Sequence, residues 1–170
     1  ESQNPAEREA RYGEIRDYLP NRYAGGAAVG LPSDDTQLTL WTLEQLEKDG
    51  RLVPEHVALR FCQEQIYGIG STVKKWRHAF CEQGVPWFDA GQPSAGNGAL
   101  MRVAAHVVPH ASGTGAGLGV DAALGSLITH KDSAAIGVSV AAAGMLWALL
   151  RRPRGVAPEP GWWLARYAEV

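Results

Sequence analysis

Between Lys131-Asp132 and Arg151-Arg152 runs a stretch, Ser133 to Leu150, in which no residue carries a charge. Flanked in this way it mimics a short membrane span. It is built mostly of Ala, Gly, Val and Ser, however, which contribute little to lipid insertion. The better reading is a buried helix at the centre of a helical bundle. Such a helix needs other helices to cover it, and the rest of the chain supplies them. Strand signals are nearly absent, with no alternating β-branched run joined by a hairpin turn, and there is no internal repeat at a fixed period. The expectation is an all-α fold, and 170 residues suffice for one domain over 1–170 and not for two.

Asn4-Pro5-Ala6-Glu7 reads as a helix start: Asn4 can cap, Pro5 suits the first position and Glu7 can complete a capping box. That helix is expected to run to about Leu19 and stop at Pro20. A loop of small residues, Ala24 to Pro32, follows. Ser33-Asp34-Asp35 opens a second helix carrying Leu38, Leu40, Trp41, Leu43 and Leu46, apolar on more than one face and so expected to be largely buried. Gly50 ends it. A third helix starts at Pro54, with Val57 and Phe61 on one face. Ser71 can cap a fourth, with Val73, Trp76 and Phe80 inward. Shorter helices are predicted near Ala99–Val108 and Ala122–His130, and Trp162–Val170 begins a last one after a Pro-rich linker.

A net charge of −2 leaves no basic footprint, so nothing points to bulk nucleic-acid binding. No apolar signal core opens the chain. Cys62 and Cys81 form no CxxC pair, and the expectation is two reduced thiols in a cytoplasmic protein without a membrane partner. Oligomeric state is not legible.

Ser33-Asp34-Asp35-Thr36 is the sharpest chemical feature. Acidic residues at a helix start commonly just cap N–H groups and favour the helix dipole. Here the preceding loop is small and apolar and the helix behind is apolar on several sides. Two carboxylates at such a mouth repel one another unless a cation sits between them. A hard divalent ion suits them, with the Ser33 hydroxyl as a third oxygen. Gly68-Ile69-Gly70-Ser71 can present N–H groups to a phosphate, or can be a tight turn plus a cap. Ser94-Ala95-Gly96-Asn97-Gly98 leads into Ala99-Leu100-Met101-Arg102. Its small residues let a diphosphate or ribose approach the backbone, and Asn97 can fix a sugar hydroxyl. The plainer alternative is a turn, with Arg102 a surface charge. His130 ends a helical stretch, where a histidine commonly serves only the helix dipole.

Together and in this order, Ser-Asp-Asp-Thr, Gly-x-Gly, Gly-Asn-Gly-Ala-Leu-Met-Arg-Val and Thr-His before an Ala-rich helix resemble the ADP-ribosylglycohydrolases. The resemblance covers nearly the whole chain. It implies a compact, orthogonal helical bundle with two magnesium ions (manganese as the alternative) at the bottom of a cleft. It implies that Ser33, Asp34 and Asp35 form the first half of the metal site, with Asp34 or Asp35 also the base that activates water. Gly68, Gly70, Ser71, Ser94, Gly96, Asn97 and Gly98 would embrace ADP-ribose, and His130 would touch the ligand. The substrate would be an ADP-ribosylated protein or nucleic-acid end. Two departures accompany it. The family's N-terminal acidic segment is missing, except that Glu1 falls where its last glutamate should, which makes Glu1 a catalytic candidate. The C-terminal Asp-x-Asp-Thr half of the metal site is also missing. By itself, therefore, the chain is expected to bind magnesium poorly and hydrolyse little, and to be incomplete at both ends. The competing readings are a non-catalytic ADP-ribose binder or structural relative, and a hydrolase on the same scaffold acting on another glycoside or ester. Trp87 or Phe88 can stack on adenine or serve the core.

Overall fold

The computed structural model describes residues 4–169. The chain divides into one unit ending at Pro32 and another beginning at Ser33. In the first, α1 spans Pro5–Tyr12, with the Asn4 side chain accepting from the Ala6 N–H at 2.9 Å. It stops well short of Leu19. Gly13 turns to φ 60° and returns its N–H to the Glu9 carbonyl, and no residue of α1 is buried, so no packing draws the helix onward. A 3-10 turn over Arg22–Ala24 follows.

The second unit comprises α2 (Asp34–Asp49), α3 (Pro54–Cys62), α4 (Ser71–Arg77), α5 (Trp87–Ala90), α6 (Val103–Val107), α7 (Leu118–Leu127), α8 (Ser133–Leu150) and α9 (Pro160–Ala168). A π-helical turn, His78–Glu82, extends α4, and a 3-10 turn, Leu100–Arg102, leads into α6. Among the described residues the only β-type pairing is a single bridge between Gln92 and His130. The protein is all-α.

Two apolar clusters hold this unit. One joins α2, α3 and α4 through Leu38, Trp41, Val57, Phe61, Val73 and Trp76, with Ile128 beneath them. Phe61 meets Trp76 edge-on at 6.0 Å, and Trp76 stacks on Phe80 at 5.7 Å. The other joins α6, α7 and α8 through Val103, Val107, Leu118, Ala122 and Ala143.

Two expectations of burial are corrected. Helix α2 buries one face (Leu38, Trp41, Thr42, Gln45 and Leu46 among others), while Leu40 stays 51% exposed. Helix α8 packs on α6, α7 and α9, yet only 22% of it is buried. Its buried residues are Ala135, Ser139, Ala141 and Ala143, all small, which lets a neighbouring helix approach closely. Its length and composition alone would allow it to cross a membrane.

Cys62 and Cys81 are bonded, with Cα atoms 5.9 Å apart, in place of the two thiols expected. Packing of α3 and the π-helical turn on one cluster brings them into range. Closing a loop of 19 residues is worth about 3 kcal/mol. Reductant, or paired Cys62→Ser and Cys81→Ser substitutions, should therefore lower the urea unfolding free energy by about that amount. An unchanged midpoint would show that the bond constrains nothing. A reducing cytoplasm would hold the pair open, so its state in the cell reports the compartment.

Candidate functional site

Ser33 precedes α2 in extended conformation, and its side chain does not cap the helix. Its hydroxyl instead donates to Asp35 Oδ2 at 3.1 Å. Asp34 is half-buried beside the exposed Asp35. Burial first, and then the Asp35 charge, push the Asp34 carboxyl above its ordinary range, against the pull of backbone N–H groups at the helix start. The pair is thus a patch of poorly neutralised negative charge. One turn along, the buried Gln37 pins the next loop: it donates to the Gln65 carbonyl at 2.9 Å and accepts from the Tyr67 N–H at 2.7 Å. Gly68 then turns left-handed (φ +81°) against Asp34, where a Cβ would lie 3.6 Å from Oδ1.

Gly70, and not Ser71, precedes the first turn of α4. Thr72 in that turn bonds the Ser94 hydroxyl at 3.0 Å, which joins the first glycine loop to the second. Ser94 Oγ also accepts from the Gly96 N–H at 3.3 Å. The second loop lies on His130: a Cβ on Gly98 would sit 2.9 Å from Cε1 and 3.2 Å from Nε2, and one on Gly96 3.7 Å from Nε2. Only glycine permits that approach at Gly98. Asn97 is exposed on the loop.

His130 is held from behind. The Gln92 N–H donates to the Thr129 carbonyl at 3.0 Å, and the Lys131 N–H to the Gln92 carbonyl at 2.8 Å. Its Nδ1 lies 2.8 Å from Thr129 Oγ1. Burial, then the positive charge of Arg102, lower its pKa to about 4, so the imidazole is neutral at pH 7.

The residues singled out in the sequence fall into two groups, Ser33, Asp34 and Asp35 with Gly68, and Ser94, Gly96 and Gly98 with His130, and the Thr72–Ser94 bond ties the start of α4, after Gly68, to the second group. Glu1 lies outside the described residues. Sequence reasoning missed Gln37, Thr72, Thr129 and Arg102, which hold these pieces in place. The signals available were a polar Gln37 on the buried face of α2 and the place of Arg102 and Thr129 within the Gly-Asn-Gly-Ala-Leu-Met-Arg-Val and Thr-His segments. Arg102, for which a surface charge was the plainer alternative, is 1% exposed. Trp87 packs against the first apolar cluster, while Phe88 is 50% exposed.

The donor set at the start of α2 is all oxygen, of a kind suited to a hard divalent cation. The raised Asp34 carboxyl fits a site that a positive ion would relieve. Among the described residues no group of three or more acidic, histidine or cysteine side chains gathers to hold a metal, here or elsewhere.

No curated protein matches the chain. The family model described as ADP-ribosylglycohydrolase matches residues 1–169, and the all-α fold agrees with it: the chain belongs to that family of glycohydrolases.

Proposed function

We propose that the protein carries out magnesium-dependent hydrolysis of the glycosidic bond between ADP-ribose and a modified protein or nucleic-acid end. The observation that carries this reading is the meeting of Gly68 with Asp34, a phosphate-type loop set against a carboxylate pair. Asp34, the more buried of the two carboxylates, is suited to take the proton from an attacking water. Asp35 shares the ligation with Ser33. Gly68, Gly70 and Ser71 on one side, and Ser94, Gly96, Asn97 and Gly98 on the other, leave room for a diphosphate and ribose close to backbone N–H groups. His130 closes that second side as a neutral ligand contact. Bound magnesium or manganese would supply charge to orient the ribose hydroxyls and the water. A cytoplasmic location belongs to the same reading and requires the Cys62–Cys81 bond to persist or open there without loss of the fold.

The rival is a non-catalytic ADP-ribose binder, favoured by the absence, among the described residues, of a group of three or more potential metal ligands. Release of ADP-ribose from arginine-, serine- and phosphate-linked substrates, with and without chelator, decides between them. Turnover on at least one linkage, lost with chelator and restored by magnesium, is the expected result. Binding without turnover would establish the rival, and chelator-resistant turnover would remove the metal.

A further inference from the structure

Arg102 is a buried cation that the chemistry above does not use. Its guanidinium donates only to neutral oxygens: Nη1 to the Gly98 carbonyl at 2.9 Å, and Nη2 to the Gly125 carbonyl and to Thr129 Oγ1, both at 2.8 Å. It lies 5.5 Å over the Phe61 ring, and among the described residues it has no carboxylate partner. The carbonyl end of α7, at Gly125, adds compensating polarity to that of Gly98 and Thr129. Burying a charge on such terms is costly, and the cost would be avoided by almost any apolar side chain. The bonds it makes therefore call for a use, and they span three parts of the second side of the site: the glycine loop, the end of α7 and Thr129.

The bond to Thr129 fixes more than position. Thr129 is fully buried, and its hydroxyl has two partners, Arg102 Nη2 and His130 Nδ1. Arginine can only donate, so the hydroxyl oxygen accepts there and the hydroxyl's single proton remains to be given. Were His130 Nδ1 protonated, that proton would be stranded in a buried place, which costs more than the bond gains. Thr129 therefore donates to Nδ1, and the neutral imidazole carries its proton on Nε2. That N–H faces Gly96 and Gly98.

We propose that Arg102 is a positioning residue that, through Thr129, sets His130 in the Nε2–H tautomer so that this N–H is donated to an anionic oxygen of the ligand lying in the Gly96–Gly98 loop. The inference rests on the ADP-ribose reading for the ligand's identity, whereas the tautomer is a property of the free protein. A diphosphate oxygen, an acceptor with no proton of its own, is matched by this tautomer and by the buried charge behind it. The opposite tautomer would present a lone pair to it.

The test is long-range proton–nitrogen correlation on histidine-labelled protein, with His130 assigned by the signal lost in His130→Gln, followed by calorimetric titration with ADP-ribose. Free wild-type protein should show His130 protonated on Nε2 only. Thr129→Val should lose that single state and weaken ADP-ribose binding roughly tenfold, the effect of one charge-assisted hydrogen bond. Thr129→Ser should restore both. Arg102→Lys, which keeps the charge but not the fork, should show a mixed tautomer. An Nδ1–H tautomer in wild-type protein overturns the proposal, as does a Thr129→Val protein that keeps both tautomer and affinity. If Thr129→Val does not fold, the wild-type tautomer and Thr129→Ser still decide. An Nε2–H tautomer in a wild-type protein that binds no ADP-ribose upholds the positioning role and overturns the ligand reading instead.

Discussion

Asp34→Asn should lower ADP-ribose release on the order of a thousandfold while leaving the fold intact. The carboxyl is removed where it is poorly tolerated, since burial and the neighbouring Asp35 both disfavour its ionised form. An acid with a raised native pKa detracts from stability above that pKa and stops doing so once protonated. The melting temperature of Asp34→Asn should accordingly match or exceed that of wild-type protein at neutral pH. The gain should vanish as the pH falls through the carboxylate range, where the native side chain becomes neutral too. Asp35→Asn should also remove activity, but with a smaller thermal gain because Asp35 is exposed. Full turnover in either variant would end the role given to the pair. A collapse of stability would instead mark them as structural caps.

The largest effect on stability is expected at Gly91. It is buried, and a Cβ there would run into the Leu127 carbonyl oxygen, with the Lys131 N at 3.3 Å and the Lys131 Cβ at 3.2 Å. The principal obstacle is backbone, held by the Gln92 bonds to Thr129 and Lys131, so no side chain can swing aside. Gly91→Ala should cost about 3 kcal/mol, the upper part of the range for overpacking, or about 10 °C in melting temperature for a chain of this size. It should also weaken ADP-ribose binding, because the strand-like contact it breaks is the one behind His130. Gly137→Ala is the matched control. Nothing lies within 4 Å of a Cβ there, in the interior of α8, and the substitution should be neutral or stabilising by up to about 1 kcal/mol. A wild-type melting curve for Gly91→Ala would mean that the segment yields freely.

Signals local to a few residues were readable in the sequence. Helix α2 begins at the Ser33-Asp34-Asp35 triplet and ends at Gly50, which takes the left-handed cap (φ 67°) that its lack of a side chain allows. Val57, Phe61, Val73 and Trp76 point inward as their spacing requires. What failed depended on partners distant in the chain. Nothing near Arg102 tells that Gly125 and Thr129 will surround it. Nothing near Cys62 tells that a π-helical turn will deliver Cys81. An uncharged helix reads as central whether or not enough chain covers it, and α8 is buried only at four small residues. Gly13 ended α1 early because periodicity says what can be helical, not what packing will hold so.

The packing of Gly98 on His130 also bears on how this site can change over generations. Neither position can drift alone. A larger residue at 98 demands a smaller one at 130, and a smaller residue at 130 leaves a hole under the loop. Such a pair is inherited as a unit: intermediates with one change should be defective, and a relative that has lost the glycine should have lost the histidine with it.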